Sequence, residues 1–407
     1  MRFGASERDG AAAPRSAGDG RAVANAATVL RTVLDHGPVA RSAISGLCGL
    51  SPAAVSRQTT LLVRRGLLRE VPAPPAGPAT AAGRPRIPLD LHTGAVGGPL
   101  AGALHIGVRA CVLGLVDLRG QVLARRALPH EEGLGADRLL GLVAAELDRF
   151  LAEFGGGRPL LGVGAALGGW VRPDTGTVVR HAALGWRDVP LAEVLARALG
   201  VAVRVDNHAR AVGHAEILFG HPQARRSLVH LFIGNVVDAA FGIEGAVHQG
   251  PGAAAGDVAH LPVPGSTVPC ACGRTGCLQA TASDTALGAE AVRRGIVPEP
   301  SVGLVVDAAA TGDPRADALL RERARAVGRA AALLLDVFNP AVMVVSELSS
   351  VLHEGYLDEI RAAAAELSPG SAGPGRIVAP HAGPAVLPQA AATVLLGPLF
   401  RDPAGPA

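Results

Sequence analysis

The chain has 407 residues, nearly half of them apolar, with 53 glycines and 31 prolines. That is a globular composition with material for two or three domains. Every apolar run is broken by charge, Gly or Pro before the roughly 18–20 residues that a membrane-spanning helix needs. The net charge is only +3, and its basic side chains are all arginine, a usage that genome base composition explains. The distribution is less even: residues 1–92 hold 12 Arg against 6 Asp/Glu, and the remainder is mildly acidic. A basic head on an acidic body suggests a polyanion-binding module.

Residues 1–21, beginning "MRFGASERDGAAAPRSAGDG", have no hydrophobic core of a secretory signal and read as a disordered leader. A cytoplasmic location and reduced cysteines are therefore expected. From 22 to 92 the pattern is that of a winged helix–turn–helix. "NAATVLRTVLDHG" places Ala27, Leu30, Val33 and Leu34 on one helix face, with Gly37 as the stop. A short helix fits "ARSAISGLCG". A third starts at Ser51, a suitable N-cap, with Pro52 at its first position. Val55 and Leu62 face inward, while Ala53, Ser56 and Arg57 face outward, with "SRQ" on the exposed side. "LLREVPAPPAGPATAAGRPRIPLDL" reads as strand, loop, strand: a wing. Double-stranded DNA is the expected partner. Ser51, Ala53, Ser56 and Arg57 lie at the third helix, and Arg84 and Arg86 of "GRPRIP" are delivered toward a minor groove. Arg57 either pairs with guanine or touches phosphate; the wing arginines either enter the groove or belong to a solvated linker.

Between 100 and 400 strands and helices alternate. Strand-like "ALHIGVRACVLGLVDLRGQVLARRAL" precedes a helix at 136–153. "PLLGVGAALG" and "VAVRVD" are strands flanking the helix "PLAEVLARALG". "SLVHLFIGNVVDAAFGIEGAVHQG" reads as paired strands, and helices follow at 313–337 and 354–367 around the strand "AVMVVSEL". This is an α/β architecture.

Three of the five cysteines fall within "HLPVPGSTVPCACGRTGC". His260, Cys270, Cys272 and Cys277 form a four-ligand set typical of structural zinc, with no position left open for an activated water. Gly273 and Gly276 allow the tight path this requires. The competing readings are free buried thiols beside an unrelated histidine, or a redox centre, which the lack of Cys-x-x-Cys disfavours.

"GDVAHLPVPGSTVPCACGRTGCLQA" resembles the signature of the ROK family of repressors, open reading frames and kinases, and the spacing of all four ligands agrees. "GRP" at 83–85, "LGWRDVPL" and "VDNHARAVGHAE" resemble related family strings, so the likeness extends over nearly the whole chain. The resemblance implies an actin-like, RNase H-type pair of lobes with a ligand cleft between them. It also exposes what a sugar kinase of this family would need. The base position is His208, in Asp206-Asn207-His208-Ala209. The first phosphate loop reads His105-Ile106-Gly107-Val108-Arg109, and the second reads Gly234-Asn235-Val236-Val237-Asp238. The adenosine-site glycine pair is Ser346-Glu347. With four elements changed together, no catalytic residue is assigned. Sugar-contact positions are partly kept as Asn207, His208, Asp257, His260 and Gln279, either as an effector site or as a vestigial cleft. The expectation is a DNA-binding regulator, most simply a repressor, controlled by a sugar or related small molecule. It would carry structural zinc, have no membrane partner and act as a homodimer or homotetramer. The alternative is an ATP-dependent sugar kinase with an appended DNA-binding head.

Overall fold

A computed structural model describes residues 17–72, 87–93, 97–370, 372–373 and 375–405. The chain forms two compact units, Met1–His92 together with Pro398–Ala407, and Thr93–Gly397.

The first unit holds α1 (Ala17–His36), β1 (Val39–Ala40), α2 (Arg41–Cys48), α3 (Pro52–Arg64), β2 (Leu68–Glu70) and β3 (Pro88–Leu91). The strands form an antiparallel sheet of order β1-β3-β2. Val29, Leu30, Val33, Ile44, Val55, Leu62, Leu68, Leu89 and Leu91 make its core. The α2–α3 turn follows from its residues: Gly49 takes φ 70 and its N–H closes α2 onto the Ser45 carbonyl. Ser51 then caps α3, its hydroxyl accepting from the Ala54 N–H at 3.3 Å, with Pro52 inside the first turn. Four expectations need correction here. Helix α1 begins at Ala17, inside the stretch read as leader. Its buried stripe is Ala26, Val29, Leu30 and Val33, while Ala27 and Leu34 are half-buried; both sets have helical spacing, and packing selects between them. Gln58 is buried rather than exposed. The C-terminal residues from Pro398 also belong to this unit, so the body ends before 400. Arg65, which follows α3, donates to the carbonyls of Pro403 and Gly405.

The second unit begins with β4 (Leu100–Ile106), β5 (Ala110–Val116), β6 (Val122–Pro129), α4 (Ala136–Gly155) and β7 (Leu160–Leu167). It continues through β8 (Trp170–Arg172), β9 (Thr177–His181), β10 (Trp186–Val189), α5 (Leu191–Leu199), β11 (Val203–Asn207) and α6 (His208–Phe219). A second set follows: β12 (Ser227–Ile233), β13 (Val237–Ile243), β14 (Ala246–Val247), α7 (Leu278–Ala282), α8 (Asp284–Arg293), α9 (Val302–Ala310) and α10 (Pro314–Phe338). The chain closes with β15 (Val342–Glu347), α11 (Leu348–Leu352), α12 (Glu354–Leu367), β16 (Ile377–Val378) and α13 (Val386–Arg401).

Two five-stranded sheets repeat one topology. Taken from the far edge, the orders are β6-β5-β4-β7-β11 and β14-β13-β12-β15-β16. In each, the first three strands run as an antiparallel meander and the last two lie parallel to the first strand in sequence. This is the duplicated RNase H-type arrangement of an actin-like fold. Each sheet has its own core, one including Leu104, Leu113, Phe150 and Val163 and the other Leu231, Leu320, Val345 and Ile360. Helix α6 leaves the first sheet and packs Ala209 and Ile217 against Leu228, Ala240 and Val344 of the second. Gly383–Arg401 is long and apolar enough to cross a bilayer by composition, but 67% of its most apolar window is buried inside the fold.

Candidate functional site

The metal-type cluster forms as a folded knuckle. The Sγ atoms of Cys270, Cys272 and Cys277 and one His260 nitrogen all lie within 4.8 Å of one another. Cys272 and Cys277 sulfurs are 3.6 Å apart, and Cys270 Sγ is 3.7 Å from His260 Nδ1. Tetrahedral zinc with Zn–S bonds of about 2.3 Å sets sulfurs about 3.8 Å apart, so the donor set fits the ion. Gly276, at φ 70, is required: a Cβ there would lie 2.4 Å from the Ser266 carbonyl oxygen. Hydrogen bonding from Arg274 pulls the Cys272 thiol down to about 6. Burial pushes Cys277 up to about 11, a bias that a bound cation would reverse. The knuckle is stitched to the preceding segment through Val263 N to Gly276 O, Leu278 N to Leu261 O and Gln279 N to Ala259 O, each 2.8 Å.

That stitching fixes Gln279 at the start of α7. Its Oε1 accepts from the Val237 N–H at 2.9 Å, and its Nε2 donates to the Asn235 carbonyl at 2.7 Å. The β12–β13 turn is thus clamped at two points. It is topologically equivalent to the β4–β5 turn of the first sheet, and the strands leading into both turns end beside the His208 ring.

Between them lies a buried polar cluster centred on Asp238. Its Oδ2 accepts from His208 Nε2 (3.0 Å), Asn207 Nδ2 (3.0 Å) and the Gly169 N–H (3.2 Å). Burial opposes its charge, but these donors outweigh that and hold its carboxyl below the usual range. Asp238 sits on the second sheet, and all three donors come from the end of the first sheet or from α6 that follows it. Asn207 is fully engaged, because its Oδ1 also caps α6 and its Nδ2 also reaches the Gly169 carbonyl. The His208 ring stacks on Phe232, with centroids 3.8 Å apart, and lies parallel to His105 at 5.8 Å. His105 and Phe232 are the penultimate residues of β4 and β12, so equivalent positions of the two sheets flank one imidazole. His105 Nε2 is buried without a hydrogen-bond partner. Burial, then His208 and His181, lowers His105 to about 3, so its ring is neutral.

The position where the resemblance puts the adenosine-site glycine pair carries a buried carboxylate instead. Glu347, 1% exposed, accepts from the N–H groups of Ser349 and Ser350 and from the Ser349 hydroxyl. Arg323, also buried, pairs with Glu347 at 2.9 Å and Asp284 at 2.6 Å. The Phe232 ring lies only 2.7 Å from where a Gly234 Cβ would stand.

Of the residues expected to contact an effector, Asn207, His208 and Gln279 therefore sit together, but most of their polar atoms bind the protein itself. Asp257 and His260 are exposed. Asp238, His105, Phe232 and Arg323 were not among the residues expected to contact a ligand. The first two stood in the sequence as departures from the phosphate loops, a signal visible only once those loops are known to converge. In the head, Ala53, Ser56, Arg57, Thr60 and Arg64 form one exposed stripe on α3, and Ser51 is exposed at its cap. Arg84 and Arg86 lie outside the described residues.

The ROK family profile matches residues 101–380. A protein of Mycobacterium bovis named transcriptional regulator Mb0495 is 34% identical over 93% of this chain and 86% of its own length. The xylose repressor of Caldicellulosiruptor bescii is 27% identical over 83% of this chain and 86% of its own. Among solved structures, a ROK family transcriptional regulator described as a homologue of the Escherichia coli MLC protein superposes with a TM-score of 0.71. It is 23% identical and covers 94% of this chain and 100% of its own.

Proposed function

The chain belongs to the ROK family, and from that premise we propose that it is a DNA-binding transcriptional regulator, acting as a repressor, whose body senses a sugar or related small molecule rather than phosphorylating it. The carrying observation is the α3 stripe of Ala53, Ser56, Arg57, Thr60 and Arg64, presented on a capped helix ahead of a β-hairpin. Small residues let the helix sit deep in a major groove, and arginines supply base-edge and phosphate contacts. Ser51 contributes a rigid N-terminus to that helix. Arg84 and Arg86 extend the reading to the segment between β2 and β3. A homodimer or homotetramer reading two half-sites follows from this mode of binding, as does action in the cytoplasm.

The body supports sensing over catalysis. A kinase needs a base, magnesium ligands and free amides around phosphate. Here the second loop is clamped by Gln279, and Glu347, paired with buried Arg323, stands at the position of the adenosine-site glycine pair. The ligand site is the interlobe cleft around Asp257, His208 and His105, with Asn207 and Gln279 positioning its walls. Effector control is then a population shift, requiring different affinities for the DNA-competent and DNA-incompetent states. His260, Cys270, Cys272 and Cys277 hold zinc structurally. Two measurements test the reading. Selection from a random duplex library should yield a discrete sequence bound by the wild type and bound more weakly by Arg57→Ala. Incubation with Mg-ATP and hexoses should give no sugar phosphate; magnesium-dependent turnover would overturn the regulator-only assignment.

A further inference from the structure

Resting on that sensing reading, we infer that Asp238 sets the ligand class of the interlobe cleft: an unphosphorylated polyol offering hydrogen-bond donors, with sugar phosphates and nucleotides excluded.

The argument starts from what a phosphate-binding turn must present, namely backbone N–H groups without partners and no negative charge nearby. The β12–β13 turn has one of these amides taken and a carboxylate at its end. The Val237 N–H is taken by Gln279, and the Gly234 and Asn235 carbonyls by the Asp284 N–H and Gln279. Phe232 covers Gly234. At the end of the turn stands the Asp238 carboxylate, held ionised by donors from the opposite lobe. An anionic ligand in this corner would meet that charge inside a low-dielectric site, where like charges repel far more strongly than in water.

The same groups suit a hydroxyl. All three bonds to Asp238 end on Oδ2, which leaves Oδ1 as an acceptor. His105 contributes a neutral imidazole whose Nε2 lacks a partner. A carboxylate oxygen and a neutral ring nitrogen recognise O–H groups, and a site built on such atoms discriminates strongly against ligands that cannot supply them. Asp238 is therefore a specificity-determining residue that replaces a phosphate cradle with a hydroxyl acceptor.

Calorimetry on the full zinc-loaded chain tests this with D-glucose, D-xylose and N-acetylglucosamine, the 6-phosphates of the two hexoses, and Mg-AMPPNP. The expected result is binding of at least one free sugar, its phosphate at least ten-fold weaker or, for xylose, neither hexose phosphate binding, and no binding of Mg-AMPPNP. Asp238→Asn keeps the size and removes the charge; it should weaken the free sugar and narrow the gap to a phosphate at least five-fold. A sugar phosphate binding as tightly as the free sugar, or measurable Mg-AMPPNP binding, overturns the inference and leaves sensing intact. No binding by any sugar or phosphate removes the sensing reading itself, and this inference with it. The wild-type comparison stands even if Asp238→Asn does not fold.

Discussion

Gln279 grips the Asn235–Val237 turn from both sides, accepting from the Val237 N–H and donating to the Asn235 carbonyl, while its own backbone N–H is tied to Ala259 beside the cysteine knuckle. Cys277, two residues earlier, is one of the four metal-type ligands. The knuckle thereby braces one wall of the cleft through a single side chain.

Metal analysis of the purified chain should find about one zinc per chain. Chelation or Cys272→Ser should lower the melting temperature and raise hydrogen exchange across 259–281, extending to the 235–237 turn through Gln279. Gln279→Ala should loosen the turn alone while zinc content stays unchanged. A chain that holds no metal and keeps the 259–281 segment protected would contradict the structural role.

Arg57→Ala should weaken operator binding by about 1–3 kcal/mol with an unchanged melting temperature, because Arg57 is exposed. Ser51→Ala removes the α3 cap and should cost the head about 1 kcal/mol of stability. If Arg57 reads a base, its loss relaxes preference at one position; equal weakening on all sequences would assign it to phosphate.

Arg323 is buried between Glu347 and Asp284. Arg323→Met strands two acidic groups and should destabilise the body by about 3–5 kcal/mol in urea unfolding. Adding Glu347→Gln and Asp284→Asn should recover much of that loss, because the cost arises from uncompensated charge. A single-variant loss under about 1 kcal/mol would show that the pair is not buried as described.

Burial lowers His105 to about 3 and His181 and His230 to about 4. His230 donates from Nδ1 to the Ala209 carbonyl, so its Nε2 accepts from the Ser346 hydroxyl and cannot also carry a proton without losing that bond. These rings stay neutral in the fold and bind protons once unfolded. Their contribution is complete above about pH 6.5 and is lost as pH falls from there toward 4 and 3. Each approaches a slope of about 1.4 kcal/mol per pH unit. Urea midpoints measured from pH 7 to pH 5 should fall, and His105→Gln should flatten the slope. A pH-independent midpoint would refute the assignment.

The sequence by itself determined the parts whose causes are local. Ser51 and Pro52 mark the start of α3 because a hydroxyl caps free N–H groups and proline needs none. Helix α12 runs over the residues its periodicity marks. The His260–Cys277 spacing specifies a four-donor knuckle, since a tight turn brings near neighbours together wherever the chain lies. What failed were choices between equally periodic faces, as on α1, and the burial of Gln58, which no local signal reports. The tertiary structure alone decided the cleft. Two sheets of the same topology carry His105 and Phe232, 127 positions apart in the chain, to either side of His208, and place Asp238 under donors from the opposite lobe. No spacing in the sequence encodes that meeting, because it depends on how two separately cored sheets pack through α6. Residues that read singly as lost catalytic positions therefore form, in the fold, one connected polar site.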